Sequence, residues 1–156
     1  MAIDVIVKPI PSSKAIINKM LDFEKALANL PNIRFGDDCC PLRHTFGDGL
    51  YIREITMPKG MVIVSKLHKT THPYFVLSGD VSVFTETGTV RIRGPFSGIT
   101  RAGTKRILYT HEETVWTTVH ATEETELEKI EEEVIATTYD QLPDHVKEKA
   151  LCHGQF

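Results

Sequence analysis

Hydrophobic and polar positions along the chain change their period twice. Starting at Ser12 or Ser13, either of which can cap a helix, Ile16, Met20, Phe23, Leu27 and Leu30 recur three and four residues apart before Pro31. That spacing predicts an amphipathic helix of about 17 residues. Residues 32–49 (NIRFGDDCCPLRHTFGDG) are rich in Gly, Asp and Pro without a clear period, which predicts a long connecting loop holding His44.

Over residues 50–120 the period shortens. The runs LYIREITM, MVIVSKLH, YFVLS, VSVFTE, TVRIR, GIT, KRILYT and TVWTTVH are β-branched or aromatic, and turn residues such as Pro58-Lys59-Gly60, Gly79-Asp80, Gly94-Pro95 and Ala102-Gly103 separate them. About eight strands in about 70 residues predict a compact barrel or jelly roll. Residues 123–133 (EETELEKIEEE) then read as a helix with a solvated acidic face, followed by a strand VIATTY and a short helix over residues 143–150. The organisation is one structural domain. Residues 1–49 form a helix and loop packed on the barrel, 50–120 the barrel, and 121–156 an acidic extension.

Composition narrows the classes. With 156 residues, 41% hydrophobic and 25% charged, the chain suits one globular domain. No apolar run reaches the roughly 18 residues of a membrane span, and the start Met-Ala-Ile-Asp-Val lacks a signal-peptide layout, so the expected compartment is the cytoplasm and no membrane partner is expected. Cys39, Cys40 and Cys152 are odd in number, lack metal-type spacing and have no identifiable activating base, which fits a reduced environment rather than a zinc ribbon or a catalytic thiol. The net charge of -3 hides an asymmetry, with ten acidic against three basic residues after residue 120 and eleven against fifteen before it. The basic excess is too dilute for a duplex nucleic-acid footprint, but in a barrel it favours anionic ligands.

Residues 60–79, GMVIVSKLHKTTHPYFVLSG, resemble the first conserved motif of the cupin superfamily. There a glycine opens a strand, a His-x-His pair and then a glutamate follow, and a glycine closes a tight turn. Counting back from Gly79, His72 falls on the glutamate, His68 on the second histidine and Lys66 on the first. Residues 101–106 are similar to the second motif, Pro-x-Gly-x-x-His, with Gly103 matching, Arg106 in place of the histidine and Thr110 in place of a later asparagine. The resemblance covers about residues 50–120 and implies a mainly β, double-stranded β-helix (jelly-roll) barrel, with an N-terminal helix and an acidic C-terminal helical segment outside it. It also implies a homodimer or higher homo-oligomer. The segments LYIREITMPKG and GTKRILYTHEETVWTTVH are further similar to small cupin-like proteins carried by tailed bacteriophages, which implies a phage accessory protein in the host cytoplasm.

Strand alternation places Val62, Val64, Lys66 and His68 on one face, and Arg106, Leu108 and Thr110 on another. The expected pocket is then Lys66, His68, His72 and Arg106, with Tyr51, Arg53, Tyr74 and Trp116 as further ligand contacts. Arg53 and Glu54 alternate, so one of them faces inward, and Trp116 also reads as core or subunit interface. Protonated Lys66 and Arg106 donate no lone pair and repel a divalent ion, so this set calls for no metal cofactor and suits a small anionic ligand. His68 and His72 are then the candidate catalytic pair, one as base and one as acid, for cleaving a nucleotide-like phosphodiester, although binding without turnover fits equally.

Two alternatives stay open. A divalent transition metal can sit on His68 and His72 with a third ligand from His44, His111 or His120, giving a metal-dependent dioxygenase, isomerase or lyase. Otherwise the barrel is an assembly or ligand-sequestering module, with Lys66 turned to solvent by a one-residue register slip and the histidines bonded locally.

Overall fold

The computed structural model describes residues 13–31, 33 and 39–152. Helix α1 (Ser13–Ala28) is followed by β1 (Leu42–Gly47), β2 (Leu50–Met57), β3 (Val62–Val64), β4 (Leu67–His68), β5 (His72–Ser78), β6 (Asp80–Thr85), β7 (Gly88–Arg93), β8 (Phe96–Thr100), β9 (Ile107–Thr110) and β10 (Thr114–Ala121). Then come α2 (Leu127–Val134), β11 (Ile135–Ala136), a 3-10 turn over Tyr139–Gln141 and α3 (Asp144–Cys152).

Two antiparallel sheets carry the fold. One has the order β1-β2-β10-β5-β8 and the other β3-β9-β6-β7. Apart from β1 and the short β4 and β11, which pair with each other, the strands enter these sheets in the sequence first, second, first, second, second, first, second, first. That winding is two Greek keys closed on each other, a jelly roll. The mainly β jelly-roll barrel implied by the sequence resemblance is therefore present, with an N-terminal and a C-terminal helix. Between the sheets lie Met57, Tyr74, Val76, Val81, Val83, Ile92, Leu108 and Trp116, all buried. Gly79 closes the β5–β6 turn with φ 102°, and a Cβ there would come within 2.4 Å of the Glu113 carbonyl oxygen, so a side chain cannot replace it.

The helices cover one side of this barrel. Ile17 of α1 packs with Leu67, Ala136, Tyr139, Leu142 and Val146, while Ile130 and Val134 of α2 pack on Tyr51 of β2. Lys105 is buried with its Nζ donating to the Ser65 carbonyl at 2.8 Å and paired with Glu24 of α1 at 2.8 Å, which ties the helix to the barrel. Among the described residues no helix is long and apolar enough to cross a membrane.

Three expectations change. The loop expected over residues 32–49 contains β1, an edge strand paired with β2 from Leu42↔Ile55 to Gly47↔Leu50. The run MVIVSKLH is two strands, because the chain leaves β9 after Val64 and pairs with β11 at Leu67 and His68. Only Ile135 and Ala136 of VIATTY are strand, since the chain then turns through Tyr139 into α3.

Candidate functional site

Three histidines converge at one end of the barrel. His68 is in β4, whose carbonyl there accepts the Gly103 N–H at 2.8 Å and whose backbone pairs with Ile135 of β11. His72 opens β5 opposite Thr100 of β8, and His120 lies near the end of β10 opposite Tyr51 of β2. One ring nitrogen from each lies within 4.8 Å of the others, so the three could hold a metal ion. Ring centroids are 4.5 Å apart for His68 and His72, 4.3 Å for His72 and His120, and 5.7 Å for His68 and His120.

Hydrogen bonding engages one nitrogen each of His72 and His120. His72 Nδ1 is 3.1 Å from the Thr70 carbonyl oxygen, which can only accept, so Nδ1 carries the proton of the neutral ring and Nε2 carries the lone pair. His120 Nε2 is 3.1 Å from Thr118 Oγ1. His68 Nδ1, His72 Nε2 and His120 Nδ1 are buried without a hydrogen-bond partner. Burial, then the charges of His72, His120, Arg106 and Arg53, hold the His68 pKa down at about 2. Burial, His72 and Arg53 lower His120 to about 4. His72 is lowered by burial and by Arg106, against the opposing Thr70 bond. All three rings are therefore neutral at pH 7, and His72 presents its free lone pair at Nε2.

Around them the inward face of β2 supplies Tyr51, which is buried and stacks on His120 at 5.9 Å, and half-buried Arg53, whose charge reaches His68 and His120. Tyr74 of β5 and Trp116 of β10 stack at 4.6 Å and 9°. Arg106, just before β9, lays its guanidinium over both rings, at 5.1 Å from Tyr74 and 5.7 Å from Trp116.

The structure thus brings together most of the residues expected from sequence: His68, His72, Arg106, Tyr51, Arg53, Tyr74 and Trp116, with His120 as the third histidine. Lys66 is the correction. It is exposed and forms an ion pair with Glu131 of α2. At Ser65 the chain bends between sheets, with Ser65 exchanging bonds with the Arg106 backbone, so the alternation counted through Val62, Val64, Lys66 and His68 does not continue. At β3 and the residue before it, Met61 and Ile63 pack on the core, while Val62 is exposed.

The other candidate third ligands lie elsewhere. His44 is on β1, bonded through Nδ1 to Tyr51 Oη at 2.7 Å, with the Tyr51 ring between it and His120. His111 follows β9 and bonds Ser82 Oγ at 2.7 Å. Cys40 is in the core with its thiol pushed up to about 11 by burial and by Cys39, in keeping with an inert thiol, and the Cys152 side chain lies outside the described residues. The signal that singles out His120 is alternation along TVWTTVH, which puts Trp116, Thr118 and His120 on one face. Glu86, whose charge reaches Arg106, had no sequence signal because it sits in a turn.

No protein-family model matches the sequence, and no curated protein does. Among solved structures the chain is similar to a cupin domain from Schizosaccharomyces pombe, at 18% identity and TM-score 0.48, over 60% of this chain and 72% of that one. A cupin superfamily protein from Desulfitobacterium hafniense matches at 10% and 0.47, over 59% and 88%. An acetylacetone dioxygenase from Acinetobacter johnsonii matches at 12% and 0.44, over 59% and 74%. The first two of these solved structures are cupin proteins by their own description.

Proposed function

We propose that the protein is a cupin-type metalloprotein in which His68, His72 and His120 hold one divalent transition metal at the barrel mouth and a small molecule is bound, and turned over, beside it. The observation that carries this reading is the fixed tautomer of His72. Its Nδ1 proton is committed to the Thr70 carbonyl, and its Nε2 lone pair is buried among two other imidazoles that each keep an unpartnered nitrogen. Buried polar atoms are rarely left unpaired, and a ligating histidine characteristically donates its other N–H to a carbonyl.

Imidazole sets of this kind suit zinc, copper, iron or nickel, and three protein ligands leave positions for water or substrate. Bound there, a metal would supply Lewis-acid or redox chemistry to an oxygen ligand. The chain's own residues do the rest: Thr70 orients His72, Tyr51 holds the His120 ring from behind, and Arg53 and Arg106 set a positive field.

The metal-free acid–base reading asks one histidine to be an imidazolium near pH 7, which the depressed pKa values of His68 and His120 oppose. A phage-borne role, the paired barrel and the cytoplasmic setting implied by the family resemblance belong to the same proposal, and light scattering reads the pairing.

Calorimetric titration of chelator-stripped protein with zinc and nickel tests the metal reading. One ion per chain is expected, with about 100-fold weaker binding in His72→Ala or His120→Ala, since each removes a direct ligand. Binding equal in wild type and both variants removes the proposal.

A further inference from the structure

Arg106 is 9% exposed, and its backbone is anchored to Ser65 through both N–H and C=O. Its guanidinium makes two cation–π contacts and no hydrogen bond or ion pair with any described residue. Glu86 acts on it only through longer-range charge. A guanidinium carries five N–H donors in a planar fork, and the described residues offer that of Arg106 aromatic faces rather than acceptors, which leaves the fork to an acceptor from outside the chain. The stacked faces of Tyr74 and Trp116 hold the fork at the histidine side of the barrel, close enough for its charge to reach both His68 and His72. The charge balance points the same way. Among the described residues the three-histidine group includes no carboxylate to offset a divalent ion beside Arg106 and Arg53, Glu86 acts on Arg106 only, and Lys66 and Glu131 neutralise each other outside.

We infer that Arg106 is the seat of a ligand carboxylate: the protein takes a small organic acid, held bidentate by the Arg106 fork, with its remaining oxygens directed at the three-histidine centre. The inference rests on the metal reading for the second half of that contact and names its substrate class. Two coplanar carboxylate oxygens match one guanidinium fork. The ligand's negative charge supplies the carboxylate that the three-histidine group does not include.

Trp116 is the single tryptophan of the chain and lies directly under Arg106, so its emission reports on the seat. Oxalate, acetate and inorganic phosphate are titrated into zinc-loaded and chelator-stripped protein, in wild type, Arg106→Lys and Arg106→Gln, with thermal melts confirming that each variant folds. Oxalate is expected to change the emission saturably in both forms, more tightly with zinc. Arg106→Gln weakens it by about tenfold or more, and Arg106→Lys, which keeps the charge but loses the fork, by less. If Arg106→Gln does not fold, Arg106→Lys decides alone. An Arg106-dependent response that zinc does not tighten upholds the seat and counts against the metal reading. Silence of both carboxylates in both forms, a response to phosphate alone, or variants that titrate like wild type overturns the inference.

Discussion

The two ends of the barrel are built from the same strands and differ in what those strands turn inward. Strand β5 begins with His72 and continues to Val76, β10 passes from Trp116 to His120, and β2 carries Tyr51 and Arg53 at one end and Met57 at the other. In the apolar half, Val76, Val81, Val83, Ile92 and Leu108 pack between the sheets and leave nothing unsatisfied. In the polar half, three imidazole nitrogens and the Thr100 hydroxyl are buried without partners, and the Arg106 guanidinium rests on aromatic faces. The apolar half stabilises the fold, and in the polar half departures from the ordinary rule of polar satisfaction cluster at the histidines. Such departures mark sites that bind something.

If that division holds, the largest stability effect comes from the apolar half. Leu108→Ala removes a buried side chain of the core and is expected to cost about 2–5 kcal/mol by chemical denaturation, with metal binding retained in whatever fraction stays folded. A stability loss at His120→Gln as large as that at Leu108→Ala would erase the contrast.

The next effect is in pH. His68 and His120 have folded pKa values of about 2 and 4, against an ordinary 6.5, so below pH 6.5 the unfolded chain binds protons that the folded chain refuses. Their stabilising contribution is complete above about pH 6.5 and falls as the solution is acidified, by up to about 2 kcal/mol per histidine between pH 6.5 and pH 5. Melting temperatures of the metal-free protein should fall over that interval, and less in His120→Gln. A flat profile would mean that the rings are solvated.

The smallest effect is expected outside the barrel. Lys66→Ala breaks an exposed pair with Glu131 and should change stability by about 1 kcal/mol or less, with metal affinity unchanged. A large loss of metal or ligand binding in Lys66→Ala would return Lys66 to the site.

Lys66 also shows where the sequence was readable and where it was not. Alternation assigned the faces correctly over residues 106–110, which end in β9 and stay with one sheet, and so grouped Arg106 with Leu108 and Thr110. Through residues 61–68 the same rule failed, because a change of pairing partner resets the parity and leaves no mark on hydrophobicity. Gly60 and Gly79 framed His68 and His72 because both have positive φ, and in the tight β5–β6 turn at Gly79 a side chain has no room. Strand β1 was invisible, since an edge strand that is largely exposed carries no apolar alternation. Choosing among His44, His111 and His120 required knowing that β10 lies between β2 and β5, a pairing set by residues far apart in the chain.

The central claim is that three imidazoles close on one metal ion. X-ray absorption at the metal edge, on protein loaded with one equivalent of zinc, counts them directly. The expected spectrum has three histidine nitrogens at about 2.0–2.1 Å with imidazole outer-shell scattering, falling to two in His120→Ala. A spectrum with oxygen neighbours only, or one unchanged in His120→Ala, would contradict it.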